Sequence, residues 1–228
     1  MRPEAVDARA GAGINIGTDA CAWDNAGTDI AGVDDNCRVV KPKLLLHICC
    51  APDEAYAVDL LKDSYSLHCF FCNPNIFPLE EYDLRLNEAK KASMIYGVPF
   101  TWDDYDPDSW SAAVDGLTDT PEGGGRCREC FLLRLSRTAE VCSSMNWPAI
   151  GTVMSVSPHK KVAMLDEAGT KAAAMYGVEY VSFDFKKKDG FRKSIILSRQ
   201  LGLYRQNYCG CRYSMNETEV RRQNRLKS

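Results

Sequence analysis

Between residues 43 and 201, short apolar runs alternate with helical patterns of ten or more residues, and this alternation leaves few folds open. Leu44-Leu45-Leu46-His47-Ile48 suits a strand buried on both faces. Leu67–Phe71, Pro99–Tyr105, Ala149–Val156 and Glu179–Phe185 read as further strands, and Asn73-Pro74-Asn75 breaks the second. Helices are predicted over Glu54–Lys62, with Asp53 as N-cap, and over Leu79–Tyr96, closed by Gly97. Others are predicted from about Cys127 to Met145, Pro158 to Tyr176 and Arg192 to Leu201. Helices of this length are the crossovers that parallel strands need. The expected fold is α/β, a parallel sheet flanked by helices, in one domain over residues 41–214. Residues 1–40, rich in Gly, Ala and Asp without a sustained period, are expected to be a disordered acidic extension in which Cys21 and Cys37 have no role. Residues 215–228 read as a basic tail.

Charge and hydropathy narrow the class. No apolar run approaches the ~20 residues that span a bilayer. The first forty residues hold seven acidic side chains, no serine and no continuous apolar stretch, so neither a secretory signal nor a transit peptide is expected. A cytoplasmic protein that does not enter a membrane follows. The net charge of −3 hides an asymmetry: residues 186–228 carry twelve basic and three acidic side chains. A basic segment on an acidic body fits a phosphate-binding face, and equally a solvated tail.

Eleven cysteines, an odd number grouped in tight pairs in a chain without a secretory signal, point to metal or redox chemistry rather than to structural disulfides. Cys49-Cys50 lies at the carboxyl end of the first strand, where open α/β sheets place ligands, and by itself reads equally as a pair of small buried core residues. Neighbouring thiolates chelate one ion awkwardly and suit a polynuclear site. Cys127 and Cys130 stand one turn apart at a helix start, behind Gly123-Gly124-Gly125 and flanked by Arg126 and Arg128, a setting that favours thiolates. Four thiolates are the usual complement of a [4Fe–4S] cluster; zinc also accepts four, and the vicinal pair favours iron. Cys209-Gly210-Cys211 reads as an electron-relaying dithiol whose disulfide would be strained, with two further metal ligands or two unrelated tail thiols as the other readings. Cys69 and Cys72 match C-x-x-C but fall on opposite faces of a strand, and they read, like Cys142, as core. His47 reads as a hydrogen-bonded core histidine. His159, expected to open a helix after the fourth strand, could meet phosphate or ribose. No P-loop, dinucleotide fingerprint or zinc-deaminase signature is present.

With these residues in hand, the sequence over about 43–214 resembles the epoxyqueuosine reductase family known as QueH. The resemblance rests on Leu44-Leu45-Leu46-His47-Ile48-Cys49-Cys50-Ala51-Pro52, Asn73-Pro74-Asn75-Ile76 with Glu80-Glu81-Tyr82, and Glu122-Gly123-Gly124 before Arg126-Cys127 and Cys130. It continues in Ser155-Val156-Ser157-Pro158-His159-Lys160, Asp184-Phe185-Lys186-Lys187-Lys188 and Gly202-Leu203-Tyr204-Arg205-Gln206-Asn207-Tyr208-Cys209-Gly210-Cys211. It implies a Rossmann-like fold related to nucleotide α-hydrolases. It also implies the last step of queuosine synthesis, the reduction of epoxyqueuosine to queuosine in the tRNA anticodon loop, with an electron donor that the resemblance does not identify. Cys49, Cys50, Cys127 and Cys130 would ligate the [4Fe–4S] cluster, and Cys209 with Cys211 would form the redox-active disulfide. Asp53 stands where family members carry Asp or Cys, placed to hold an additional iron ion or to supply a proton. Arg126, His159, Lys160, Lys161 and the basic segment after Lys186 are the expected tRNA contacts. Cys72 and Phe77 depart from the tyrosine and histidine common at those positions. Two other readings compete: an iron–sulfur tRNA sulfur-transferase, whose S-G-G-x-D-S loop is replaced here by Cys49-Cys50-Ala51-Pro52-Asp53, and a zinc-stapled RNA-binding module.

Overall fold

The apolar run after Lys43 becomes the central strand of a five-stranded parallel sheet. The structure is a computed structural model that describes residues 41–226; the expected extension, with Cys21 and Cys37, lies outside the described residues. The strands are β1 (Lys43–Ile48), β2 (Ser66–Phe71), β3 (Phe100–Trp102), β4 (Ala149–Thr152) and β5 (Glu179–Tyr180). The helices are α1 (Ala51–Leu61), α2 (Leu79–Tyr96), α3 (Pro107–Ala113), α4 (Gly125–Ser144), α5 (Val162–Tyr176), α6 (Gly190–Gln200) and α7 (Arg212–Leu226). Strand order is β3-β2-β1-β4-β5, with Leu45 opposite His68 on one side and Ile150 on the other. Among the described residues no helix is long and apolar enough to cross a membrane.

Strand alternation divides β1 between two cores. Leu44, Leu46 and Ile48 pack with Val58, Leu61, Leu86 and Ala89 of α1 and α2. Leu45 packs the other way, with Phe131 and Leu135 of α4 and Leu165 and Ala172 of α5. All four β1 side chains are fully buried, so each contributes roughly 1.5–3 kcal/mol of hydrophobic stabilisation. The same alternation sends Cys69 to the α1–α2 side and Cys72 to the α4 side. Cys142 is buried where α4 meets β4, its thiol directed at the carbonyl of Ala149.

Several boundaries differ from expectation for local reasons. Helix α1 begins at Ala51 with Cys50 as its N-cap, so Asp53 lies within the first turn instead of capping it. Pro52 fits that turn because its missing N–H would have no intrahelical partner. The fourth strand stops at Thr152, whose hydroxyl accepts the Met154 N–H and turns Val153–Val156 into a 3-10 helix. Helix α5 starts only at Val162, which leaves His159 and Lys160 in a loop. The outer strands β3 and β5 are shorter than their apolar runs because each has a neighbour on one side only. Helices α3 and α7 were not expected. Asp106 caps α3 through the Ser109 N–H, and the charged face of α7 masks any apolar stripe.

One buried carboxyl ties α1 to α2. Glu54 accepts a hydrogen bond from Ser93 Oγ, and its Oε2 has no partner. Burial raises its pKa from 4.5 to about 8, against the lowering hydrogen bonds from Ser93 and Cys69. The folded chain therefore holds a proton that the unfolded chain releases near pH 4.5. Stability contributed here is lost as pH rises through that window, with a slope of up to about 1.4 kcal/mol per pH unit. Glu54→Gln is expected to flatten the decline, measured as urea midpoints across the window; an unchanged slope would exclude this carboxyl as its source.

Candidate active site

Strand order reverses at β1, whose neighbours are β2 on one side and β4 on the other. Crossovers leaving in opposite directions open a crevice at the carboxyl ends of the strands flanking such a reversal. A cleft of about 280 Å³ lies there, lined among others by Cys49 and Asp53 after β1, Lys160 after β4, Arg134 of α4, and Arg205 and Cys209 of the C-terminal loop.

Cys49 and Cys50 occupy the turn from β1 into α1, and Asp53 projects from the first turn of that helix. The Cys49 sulfur is 3.9 Å from that of Cys50 and 3.7 Å from Asp53 Oδ2. The three ligand atoms lie within 4.8 Å of one another, the spacing of a metal-binding group. Two cysteine sulfurs and a carboxyl group of this kind suit iron or zinc. Burial pushes the Asp53 carboxyl up to about 6, against Arg205, the two cysteine hydrogen bonds and Lys160. The Cys49 hydrogen bond, and then burial, raise the Cys50 thiol well above its usual range.

Cys127 and Cys130 come from α4, on the buried stripe that also carries Phe131, Arg134 and Thr138. Spacings of three and four place these side chains on one face. The Gly123 N–H points at the Cys127 sulfur from 3.2 Å, within the glycine turn that precedes the helix. Burial raises both thiols; Gly123 and Lys160 oppose the rise at Cys127, and Arg134 opposes it at Cys130. Neither sulfur belongs to the compact Cys49–Cys50–Asp53 group. The two pairs instead share Arg134, which donates toward Cys130 Sγ at 3.9 Å and lines the cleft beside Cys49.

The Cys209–Cys211 loop is seated on α2 and on the segment after β2. Arg85, fully buried, donates to the carbonyls of Cys209 at 3.0 Å and Tyr208 at 3.3 Å, and the Tyr208 ring stacks on its guanidinium. Gly210 adopts φ +134, and a Cβ there would lie 3.1 Å from Arg85 Nη1 and from Asn75 Nδ2, so only glycine fits. Both cysteines are free thiols with different partners. Cys209 lines the cleft and receives the Lys160 ammonium at 2.7 Å. Cys211 is buried at the start of α7, with the Ser214 N–H 3.5 Å from its sulfur.

The residues expected to meet tRNA divide into two groups. Arg126 is buried, donating to the Thr118 carbonyl and Glu217 and stacking on Tyr213, so it joins α4 to α7. Lys160 is also buried; burial alone would lower its pKa, but Cys209 and Glu122 outweigh burial and keep it charged. His159, Lys161, Lys187, Lys188 and Arg192 are exposed. His47 is fully buried, bonded to Thr152 Oγ1 and the Cys72 carbonyl, and burial first, then Arg134, holds it neutral. Arg134 and Arg205 were missed from the sequence. An arginine four residues after Cys130, on the apolar stripe of its helix, was the legible signal for the first.

The sequence profile of the epoxyqueuosine reductase QueH family matches residues 44–217. Epoxyqueuosine reductase QueH of Streptococcus pyogenes serotype M1 is 34% identical over 181 residues, 77% of this chain and 71% of that one. The protein of the same description from Thermotoga maritima is 33% identical over 177 residues, 76% of this chain and 91% of that one. Among solved structures, the U34-tRNA thiolase NcsA from Methanococcus maripaludis, with its [4Fe–4S] cluster, superposes with a TM-score of 0.51. Its identity is 17%, over 82% of this chain and 67% of that one, a likeness of fold alone. That fold is a parallel sheet flanked by helices. The matched span reaches from β1 into α7 and includes both cysteine pairs and the C-terminal dithiol: the chain belongs to the epoxyqueuosine reductase QueH family.

Proposed function

We propose that the crevice between β1 and β4 is where the chain removes the epoxide oxygen of epoxyqueuosine, with Cys49, Cys50, Cys127 and Cys130 as ligands of a [4Fe–4S] cluster. The activity itself comes with the family: the chain is an oxidoreductase that reduces epoxyqueuosine to queuosine in tRNA. The reaction consumes two electrons and two protons, turns the epoxide into a carbon–carbon double bond and releases water.

The observation that carries the cluster reading is electrostatic. Arg134 and Lys160 are buried cations at one cleft, and Arg134 has only neutral and sulfur partners. An isolated buried charge is strongly disfavoured, so the site needs an anion. Four thiolates with iron supply one. When bound, such a cluster supplies electrons, and iron polarises an oxygen as a Lewis acid. Asp53, with Cys49 and Cys50, fits an additional iron ion beside it. The chain's own part is to orient and enclose. Arg205 and Phe191, stacked at 5.1 Å, wall one side of the cleft, where an extruded base can lie. Cys209 faces the same cleft, and with Cys211 it relays electrons from an external donor. Exposed His159, Lys161, Lys187, Lys188 and Arg192 receive the tRNA backbone. The protein works in the cytoplasm, with its tRNA.

Cys127→Ala and Cys49→Ala are expected to lose bound iron, the visible absorption and at least about 100-fold of turnover, read on anaerobically purified protein with epoxyqueuosine-containing tRNA. A colourless native protein holding one zinc would contradict the reading. Cys209→Ser and Cys211→Ser are expected to keep the iron content and absorption while multiple turnover with a dithiol reductant is lost; full turnover in both would remove the relay. Lys187→Glu with Lys188→Glu is expected to weaken tRNA binding and to lower the slope of log K against log salt by about one for each phosphate no longer neutralised; an unchanged slope would place the backbone elsewhere.

A further inference from the structure

Arg134 is not among the four cysteine ligands of the reading above, yet its placement is costly. Its residue is 3% exposed, one turn beyond Cys130 on the buried stripe of α4. The other two buried arginines have carboxylate partners: Arg85 has Glu81 and Arg126 has Glu217. The neighbouring cation Lys160 has Glu122. Arg134 donates instead to the Cys72 carbonyl at 3.4 Å, to Asn73 Oδ1 at 2.5 Å and toward Cys130 Sγ at 3.9 Å. Among the described residues no carboxylate lies within ion-pair distance of it. Asn73, in turn, donates to the Ile48 carbonyl, the last of β1, at 2.8 Å. The guanidinium is thus fixed between the strand end that presents Cys49–Cys50 and the helix turn that presents Cys127–Cys130. Its charge is felt by the sulfurs of Cys130, Cys49 and Cys209 together.

We propose that Arg134 is the electrostatic positioning residue of this centre: its fixed buried charge raises the reduction potential of the cluster held by Cys49, Cys50, Cys127 and Cys130. The inference rests on the cluster reading above and assigns to one side chain the control of how readily an electron is accepted. One-electron reduction adds one negative charge to a cluster whose four thiolate ligands already make it anionic. Arg134 offsets that added charge at short range in a water-poor site, where Coulomb interactions are strong. Net charge and hydrogen bonds to sulfur are among the factors that set the potentials of such clusters. Its location beside Cys209 also places the offset where electrons from the dithiol would arrive. A carboxylate partner would cancel the effect, and none is present among the described residues.

The test uses the full chain, loaded anaerobically, as wild type, Arg134→Met, Arg134→Gln and Arg134→Lys. The readouts are iron content, visible absorption and the midpoint of a dithionite titration followed by electron paramagnetic resonance. Arg134→Met and Arg134→Gln are expected to shift the midpoint downward by the equivalent of a tenfold or larger change in the oxidised-to-reduced ratio, about 59 mV for one electron. Arg134→Lys, which keeps the charge, is expected to stay near the wild-type midpoint. Arg134→Gln keeps hydrogen-bonding capacity toward Asn73 and Cys72, so it carries the same expectation should Arg134→Met fail to fold or load. A wild-type midpoint in the loaded neutral variants would overturn the proposal. So would a fall in Arg134→Lys as deep as theirs, which would make the planar fork, not the charge, responsible. Failure of the underlying reading is a separate result: a wild-type chain that takes up no iron.

Discussion

The reversal of strand order at β1 decides where chemistry can happen in this molecule. A parallel sheet needs a crossover for every strand, and packing both faces sends those crossovers to opposite sides of the first strand. A crevice then opens at the carboxyl end of β1. Cys49 and Cys50 fall there because β1 ends at Ile48, and Lys160 falls across from them because β4 ends at Thr152. Helix α4 presents Cys127 and Cys130 on its buried side, Cys127 packed with Leu45 and Ile150 and Cys130 with Trp110 and Cys211. The site is a consequence of burying the sheet.

Charge gives the crevice its chemistry. The sulfurs are close to buried cations, and those cations have few carboxylates to answer them. Burial pushes the thiols toward their protonated forms, while Lys160 and Arg134 pull toward thiolate. In the proposed reading, an anionic cluster held by the two cysteine pairs resolves this opposition. The C-terminal dithiol is held by a different device. Arg85 grips two successive carbonyls of its loop, and Gly210 lets that loop lie against the guanidinium.

Much of the fold could be read from the chain. The runs at Leu44–Ile48 and Leu67–Phe71, and the periodic stretch ending at Gly97, are strands and a helix close to where pattern placed them. Edges were less legible. The apolar character of Glu179–Phe185 serves packing, with Phe183 and Phe185 stacked, and only its first two residues pair as strand. Helix α1 starts before Glu54 because Pro52 occupies its first turn. Helix α7 escaped because its charged face masks any apolar stripe and it is seated by tertiary contacts, Arg126 with Glu217 and Tyr213, which no local period encodes. In the site, cysteine spacing was plain in the sequence. The burial of Arg126 and Lys160 was not, because a basic residue reads as surface until the packing around it is known.

Whether sulfur from both cysteine pairs grips iron in this crevice is decided by Mössbauer spectroscopy of the anaerobically purified, iron-enriched wild-type protein. The expected spectrum is that of a [4Fe–4S] cluster, with any further iron appearing as a distinct mononuclear site. A protein that folds and acts on epoxyqueuosine-containing tRNA yet shows no cluster iron would contradict it.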